Sequence, residues 1–205
     1  MPYDVPGLRC LPDYVTPDEA ESLLAQIDAS GWRATLKRRV QHYGYEYDYK
    51  AKAVREEMWL GPLPNWAASL AERLHADGLI HAVPDQVIVN EYQPGQGISA
   101  HVDCVPCFGE TVISLSLGSA CVMHFSRITD ALSVPVLLEP CAVLVMTGES
   151  RYLWKHGIAP RKVDVYERRI LRRGRRVSVT FRMMLVARGE VSGPAYVRPR
   201  AALYW

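Results

Sequence analysis

The chain has 205 residues, 49% of them apolar, and a formal net charge of +2. That is enough length and apolar content for one buried core, but too little net charge for the whole surface to hold a polyanion, so any affinity for nucleic acid must come from local patches. No apolar run approaches a membrane span, and Met1 to Asp13 lacks the charged start and apolar core of a signal peptide, so a soluble cytoplasmic protein is expected, with the nucleus as the alternative and no membrane partner.

In chain order, Thr16-Pro17-Asp18-Glu19 combines an N-cap, a first-turn proline and a capping-box glutamate. It predicts a helix to about Ser30, where Gly31 stops it. Leu36 to Tyr49 then carries Lys37, Arg38 and Arg39 followed by Tyr43, Tyr45, Tyr47 and Tyr49 at alternate positions. Two readings fit: an amphipathic hairpin strand packing tyrosines on the core, or a basic, aromatic lip whose cations meet phosphates while a tyrosine such as Tyr43 or Tyr45 stacks on a base. After a Gly- and Pro-rich loop, Asn65 is expected to cap a helix with Trp66, Leu70 and Leu74 on one face, ended by Gly78.

From about Asp85 the pattern changes to short strands separated by Gly and Pro turns: QVIVNEY, a strand carrying His-x-Asp, TVISLSLG, CVMHFS, VPVLL, AVLVMT and RVSVTFRMMLV. Such a run predicts a mainly β sandwich or barrel buttressed by the two helices. The basic run from Arg161 to Arg176 reads as a solvated loop whose outer members could form an electrostatic track. The expected organisation is one domain: a lip and helical part to about residue 84, a barrel core over about 85–187, and an irregular tail over about 188–205. Five scattered cysteines make no disulfide framework and fit a reducing compartment. Cys10, Cys121 and Cys141 read as apolar fillers, and Cys104-Val-Pro-Cys107 as an ordinary loop with a redox-sensitive loop at the pocket mouth as the alternative.

Chemistry enters at Asn90 to Asp103, which ends in His101-Val102-Asp103. Residues two apart on an extended strand share a face, so both side chains can reach one ion. One further histidine would complete the two-histidine, one-carboxylate set of a non-haem Fe(II) oxygenase, and His156 in RYLWKHGI is the candidate. His124 reads as a core or pocket-wall residue instead. Such a centre leaves room for a chelating cosubstrate. In RVSVTFRMM, Arg176, Ser178, Thr180 and Arg182 fall on one face and Val177, Val179, Phe181 and Met183 on the other. Beside a metal pair, a row with two arginines reads as the inner wall of a barrel that binds a dicarboxylate, because the planar guanidinium donates two parallel hydrogen bonds. Ile88, Asn90 and Tyr92 share a face in the same way.

The ordered set Asn90-x-Tyr92, His101-x-Asp103, His156, Arg176 and Arg182 resembles the AlkB-type Fe(II)/2-oxoglutarate dioxygenases. The resemblance implies a double-stranded β-helix (jelly-roll) in which His101, Asp103 and His156 bind Fe(II). By the same resemblance Arg176 with Tyr92 holds the distal carboxylate of 2-oxoglutarate, and Asn90 with Arg182 supports its metal-bound end; Ser178 stands where the repair enzymes tend to have asparagine. GYEYDY, SLSLGS and LVMTGESRYLWKHGI resemble the branch that hydroxylates wobble uridines of tRNA. That implies RNA binding and a nucleic-acid substrate, with tRNA first and oxidative N-demethylation of alkylated DNA or RNA bases as the alternative. Lys37, Arg38, Arg39, Tyr43, Tyr45 and Arg151 are then the candidate substrate-binding residues. In animals that branch carries RNA-recognition and methyltransferase modules with no counterpart in these residues, which makes a separate methyltransferase or RNA-binding protein an expected partner. Two other classes compete: a cupin-like metal protein, which would have no use for two inward arginines, and a catalytically silent nucleic-acid-binding domain, which would have no use for the three ligands.

Overall fold

The computed structural model describes residues 4–34, 38–46, 56–130 and 132–185. Lys37, Tyr47, Tyr49 and the expected tail lie outside the described residues. In chain order the elements are β1 (Leu8–Leu11), α1 (Pro17–Asp28), β2 (Val40–Tyr43), α2 (Asn65–Ala76), β3 (Gln86–Tyr92), β4 (Ile98–His101), β5 (Phe108–Gly118), β6 (Cys121–Arg127), β7 (Ser133–Leu138), β8 (Val143–Met146), α3 (Gly148–Tyr152), β9 (Trp154–Ile158), β10 (Val163–Tyr166), β11 (Arg169–Arg172) and β12 (Arg176–Met184). Among the described residues no helix is long and apolar enough to cross a membrane.

Six strands in the order β1-β8-β5-β12-β3-β2 make a major antiparallel sheet, and β4-β9-β6-β7 a minor one. Strand alternation decides which side chains go where. On the outer face of the major sheet Val87, Val89, Val177, Val179 and Phe181 pack against Leu23 and Ile27 of α1 and Trp66, Leu70 and Leu74 of α2. Each of these large side chains contributes about 1.5–3 kcal/mol by leaving water. On the inner face Tyr92, Val112, Leu144 and Met146 meet Met123, Phe125, Val136 and Trp154 of the minor sheet. The result is a double-stranded β-helix with helices on one side, as the strand pattern predicts.

α1 has its capping box, with Thr16 Oγ1 accepting from the Glu19 amide at 3.1 Å and Glu19 Oε2 accepting from the Thr16 amide at 2.8 Å. The helix stops at Asp28, slightly before the expected end. In α2 the N-cap is Pro64 and Asn65 is already the first helical residue, because a proline cannot follow the cap inside a helix but can precede it. At its far end the Gly78 and Leu79 amides donate to the carbonyls of His75 and Leu74, which closes the last turn.

Three elements were not expected from the sequence: β1, β9, and the hairpin of β10 and β11 inside the basic run read as a loop. β9 carries the third histidine and pairs with β4. Gly157 permits that pairing, since a Cβ there would lie 2.8 Å from both the Cα and the amide nitrogen of Ala100. The regular alternation of tyrosines also breaks. Gly44 takes φ +77°, so Tyr43 and Tyr45 leave the strand in different directions.

Candidate metal centre and cosubstrate pocket

β4 and β9 place His101 directly opposite His156 in the antiparallel register, with ring centroids 4.5 Å apart. β4 ends at His101, so Asp103 sits in the loop beyond and not on the same strand. Its carboxylate nevertheless returns to the histidines: one ligand atom each from His101, Asp103 and His156 lie within 4.8 Å of one another.

Each member is oriented by a neighbour. His101 Nδ1 lies 2.8 Å from the carbonyl of Ser99, which makes it the N–H donor and leaves Nε2 with its lone pair for an ion. Arg182 Nη1 donates to Asp103 Oδ1 at 3.1 Å, while Oδ2 faces His156 Nε2 at 3.7 Å. Burial pushes the imidazole of His156 down to about 4, against the attraction of Asp103, so it is neutral and able to ligate near pH 7. Burial pushes the Asp103 carboxyl up, but Arg182, His156, His101 and Arg151 together hold it below the usual range. Two neutral imidazoles and one ionised carboxylate with an open side toward a cavity form the facial donor set of non-haem Fe(II).

That cavity, of about 200 Å³, lies between the sheets and is walled by the inner faces of β3 and β12. Arg176, paired across the ladder with Tyr92, donates to Ser116 Oγ at 2.9 Å and packs its guanidinium over the Tyr92 ring. Arg182 is held by Gln86 Oε1 at 2.8 Å, as well as by Asp103. Ser178 shares a hydrogen bond with Ser114 at 2.8 Å. Arg176 Nε and Arg182 Nη2 are buried with no hydrogen-bond partner. A buried guanidinium N–H without an acceptor is unfavourable by about 1–3 kcal/mol, and a small anion carrying carboxylates would supply what both lack. Gln86, Ser114 and Ser116 were missed in the sequence. Their only signal was a place on the inward face of a strand.

The residues read as a substrate-binding lip separate. Lys37 lies outside the described residues. Arg38 is inside the cavity, donating from Nε to Asn90 Oδ1 at 2.8 Å. Arg39, one residue on, points to the opposite face and forms a two-point pair with the buried Glu91, at 2.6 and 2.7 Å. Tyr43 packs edge-on against Trp66 in the helical core, and its hydroxyl donates to Gln41. Tyr45 lies against Trp59 and beside Cys107, Phe108 and Met184. Neither tyrosine lines the cavity. Arg151, expected to touch substrate, is only 2% exposed and donates to the carbonyls of Asp103, Cys104, Phe108 and Gly109. It holds the loop that carries Asp103.

Three further readings change. Cys104 and Cys107 are joined by a disulfide, while Cys10, Cys121 and Cys141 are free. The first two could bond because a turn brings their Cα atoms to 5.3 Å. In the basic run Arg173 is buried against Asp164, and Arg175 pairs with Asp28 and Glu91, so these arginines are used internally and leave no continuous track. His124 lies on the outer side of the minor sheet, lining a groove with Ser126 and Gly157, because Phe125 takes the inward position opposite His156.

Comparison with known proteins agrees with this geometry. The family model described as 2OG-Fe(II) oxygenase superfamily matches residues 7–182. The chain is 42% identical over 170 residues to the mouse (Mus musculus) tRNA (carboxymethyluridine(34)-5-O)-methyltransferase ALKBH8, covering 79% of this chain and 26% of that protein. It is 38% identical over 202 residues to the Arabidopsis thaliana alkylated DNA repair protein ALKBH8 homolog, covering 87% of this chain and 58% of that one. The chain thus spans about a quarter and somewhat over half of the lengths of these two relatives. The solved structure of OsALKBH1 superposes with a TM-score of 0.69 at 19% identity, covering 89% of this chain and 99% of that chain, which shows a shared fold. The chain belongs to the 2OG-Fe(II) oxygenase superfamily, as an AlkB-type member.

Proposed function

We propose that His101, Asp103 and His156 hold Fe(II), that Arg176 and Arg182 hold 2-oxoglutarate, and that the enzyme hydroxylates the 5-carboxymethyl-type side chain of a wobble uridine in tRNA. The observation that carries the cofactor part is the pair of unpartnered guanidinium nitrogens beside the His-Asp-His cluster. When bound, iron with 2-oxoglutarate and O₂ supplies the oxidant for a C–H bond, at the expense of converting 2-oxoglutarate to succinate and CO₂. The chain's own residues do the positioning. Arg176, backed by Ser116 and Tyr92, presents a fork to a distal carboxylate. Arg182 orients Asp103 on one side and has a free N–H on the other. Arg151 holds the Asp103 loop from behind, and the apolar wall of Met123, Leu144 and Met146 keeps water from the reacting carbon.

The tRNA part is supported by the 42% identity to a protein named for carboxymethyluridine at position 34. An anticodon loop also suits the site, because its bases are already unpaired and need little unstacking. Delivery of the tRNA by an RNA-binding or methyltransferase protein separate from these residues belongs to the same proposal, since the mouse relative is about four times as long. The test is purified protein with iron, ascorbate and 2-oxoglutarate, offered modified tRNA and methylated oligonucleotides side by side. A gain of one oxygen on the wobble nucleoside supports the reading. Formaldehyde release from the methylated oligonucleotides, with no mass change on the tRNA, would replace it with N-demethylation.

A further inference from the structure

Three guanidinia enter the cavity between the sheets, one more than a dicarboxylate cosubstrate needs. Arg38, Arg176 and Arg182 all line it, and the one carboxylate among its walls is Asp103. Glu91, the acid nearest in sequence to Asn90 and Tyr92, faces the other side of the sheet and is consumed by Arg39 and Arg175. A divalent cation and a dicarboxylate cancel each other, so loading the site with both leaves its positive surplus in place. Three arginines facing one carboxylate in a partly dehydrated cavity repel one another strongly unless a further anion joins them.

The position of Arg38 says where that anion sits. By the antiparallel register of β2 on β3, in which Val40 opposes Asn90, Arg38 falls opposite Tyr92. Arg176 opposes the same tyrosine from β12 on the other side. Tyr92 therefore has one guanidinium on each flank, at 5.7 Å for Arg38 and 5.5 Å for Arg176, measured to the ring centroid. Arg176 lies toward the interior of the sheet and is 3% exposed. Arg38 lies on the edge strand side and is only partly buried. An incoming substrate meets Arg38 first. Its Nε is already committed to Asn90 Oδ1, which fixes the plane of the group, while its two terminal nitrogens have no hydrogen-bond partner among the described residues. That terminal edge is the one that receives a carboxylate by two parallel bonds.

We propose that Arg38 is a specificity-determining residue that pairs with a carboxylate on the substrate's side chain, so that the enzyme prefers the free 5-carboxymethyl acid to its neutral methyl ester. This rests on the wobble-uridine reading given above. The reaction replaces one C–H of the methylene by C–OH, with the second oxygen atom of O₂ going into succinate, and the substrate carboxylate is unchanged. Oxidation then precedes esterification, and a methyl-transfer reaction on the carboxylate consumes the product.

The test uses two synthetic anticodon stem-loops, one with 5-carboxymethyluridine and one with its methyl ester, and three proteins: wild type, Arg38→Met and Arg38→Lys. Binding is measured with Mn(II) and 2-oxoglutarate present, and turnover with iron. Wild type should bind and oxidise the acid at least about tenfold better than the ester, the scale of a desolvated charge pair. Arg38→Met should bring that ratio close to one, and Arg38→Lys should recover part of it, having the charge without the fork. A ratio is insensitive to partial misfolding, because both loops meet the same protein. Equal treatment of acid and ester by wild type overturns the proposal. So does an equal loss on both loops in Arg38→Met, which would make Arg38 a phosphate contact, or an unchanged ratio with a raised 2-oxoglutarate requirement, which would assign it to the cosubstrate. If the acid loop is bound selectively but neither loop is oxidised, the carboxylate pairing stands and the wobble-uridine hydroxylation falls.

Discussion

The guanidinium of Arg182 donates to Asp103 Oδ1 at 3.1 Å across 79 residues of sequence, and so ties the loop after β4 to the central strand of the major sheet. One oxygen of the carboxylate is thereby occupied, and the other is left facing His156. Groups that orient a metal ligand commonly change metal affinity by about 10–100-fold when lost. Arg182→Met should lower Mn(II) or Co(II) affinity by about that factor, read by titration without turnover. Unchanged affinity would show that the Asp103 loop is positioned by Arg151 alone.

Arg176 tests the cosubstrate site. Its Nε is buried without a partner while Nη2 is already fixed by Ser116. Arg176→Ala should weaken 2-oxoglutarate binding by about 2–5 kcal/mol, and Arg176→Lys should rescue little of it, since an ammonium cannot form the two-point contact. Titration of 2-oxoglutarate against both variants decides the matter, with equal and normal affinity placing the cosubstrate elsewhere.

For Arg151 the expected effect is on the fold near the metal loop. Its guanidinium satisfies four carbonyls of residues 103–109 from a position 2% exposed. Arg151→Met should cost about 3 kcal/mol or more in urea unfolding, because buried acceptors lose their donors. The salt dependence of RNA binding should stay as in wild type. A shallower salt slope with normal stability would return Arg151 to the substrate-binding group.

Glu91 links acid sensitivity to the sheet. Hydrogen bonds from Arg39, opposed by burial and helped by Arg175, hold its carboxyl at about 2 instead of 4.5. A carboxyl with a lower pKa folded than unfolded contributes its stability in full above about 4.5 and loses it as the pH falls toward 2. Glu91→Gln should be less stable than wild type by about 2 kcal/mol near neutrality. The gap should narrow steadily from about pH 4.5 downward, measured by denaturant midpoints across that range. A gap independent of pH would mean that the amide merely packs badly where the carboxylate was.

What could be read from the chain alone was whatever depends on local periodicity or on chemistry at short spacing. The alternation in β12 and β3 separated Val177, Val179 and Phe181 from Arg176, Ser178 and Arg182, because strand side chains point to opposite faces. The helix starts at Thr16 and near Asn65 followed from caps and proline. His101, Asp103 and His156 stood out because few residue types bind Fe(II), and the structure brings all three together. Tertiary structure alone decided the rest. β9 is a strand because it pairs with β4 and β6, and its own sequence has no alternation to announce it. Arg38 and Arg39 are adjacent and chemically alike, yet one enters the cavity and the other closes an ion pair behind the sheet, since the register of β2 on β3 sends neighbours to opposite faces. Arg151 looked like a free cation and is a buried clamp, because its partners are backbone carbonyls more than forty residues away in sequence. The partner of a buried charge is set by how distant strands pack, and local sequence does not record it.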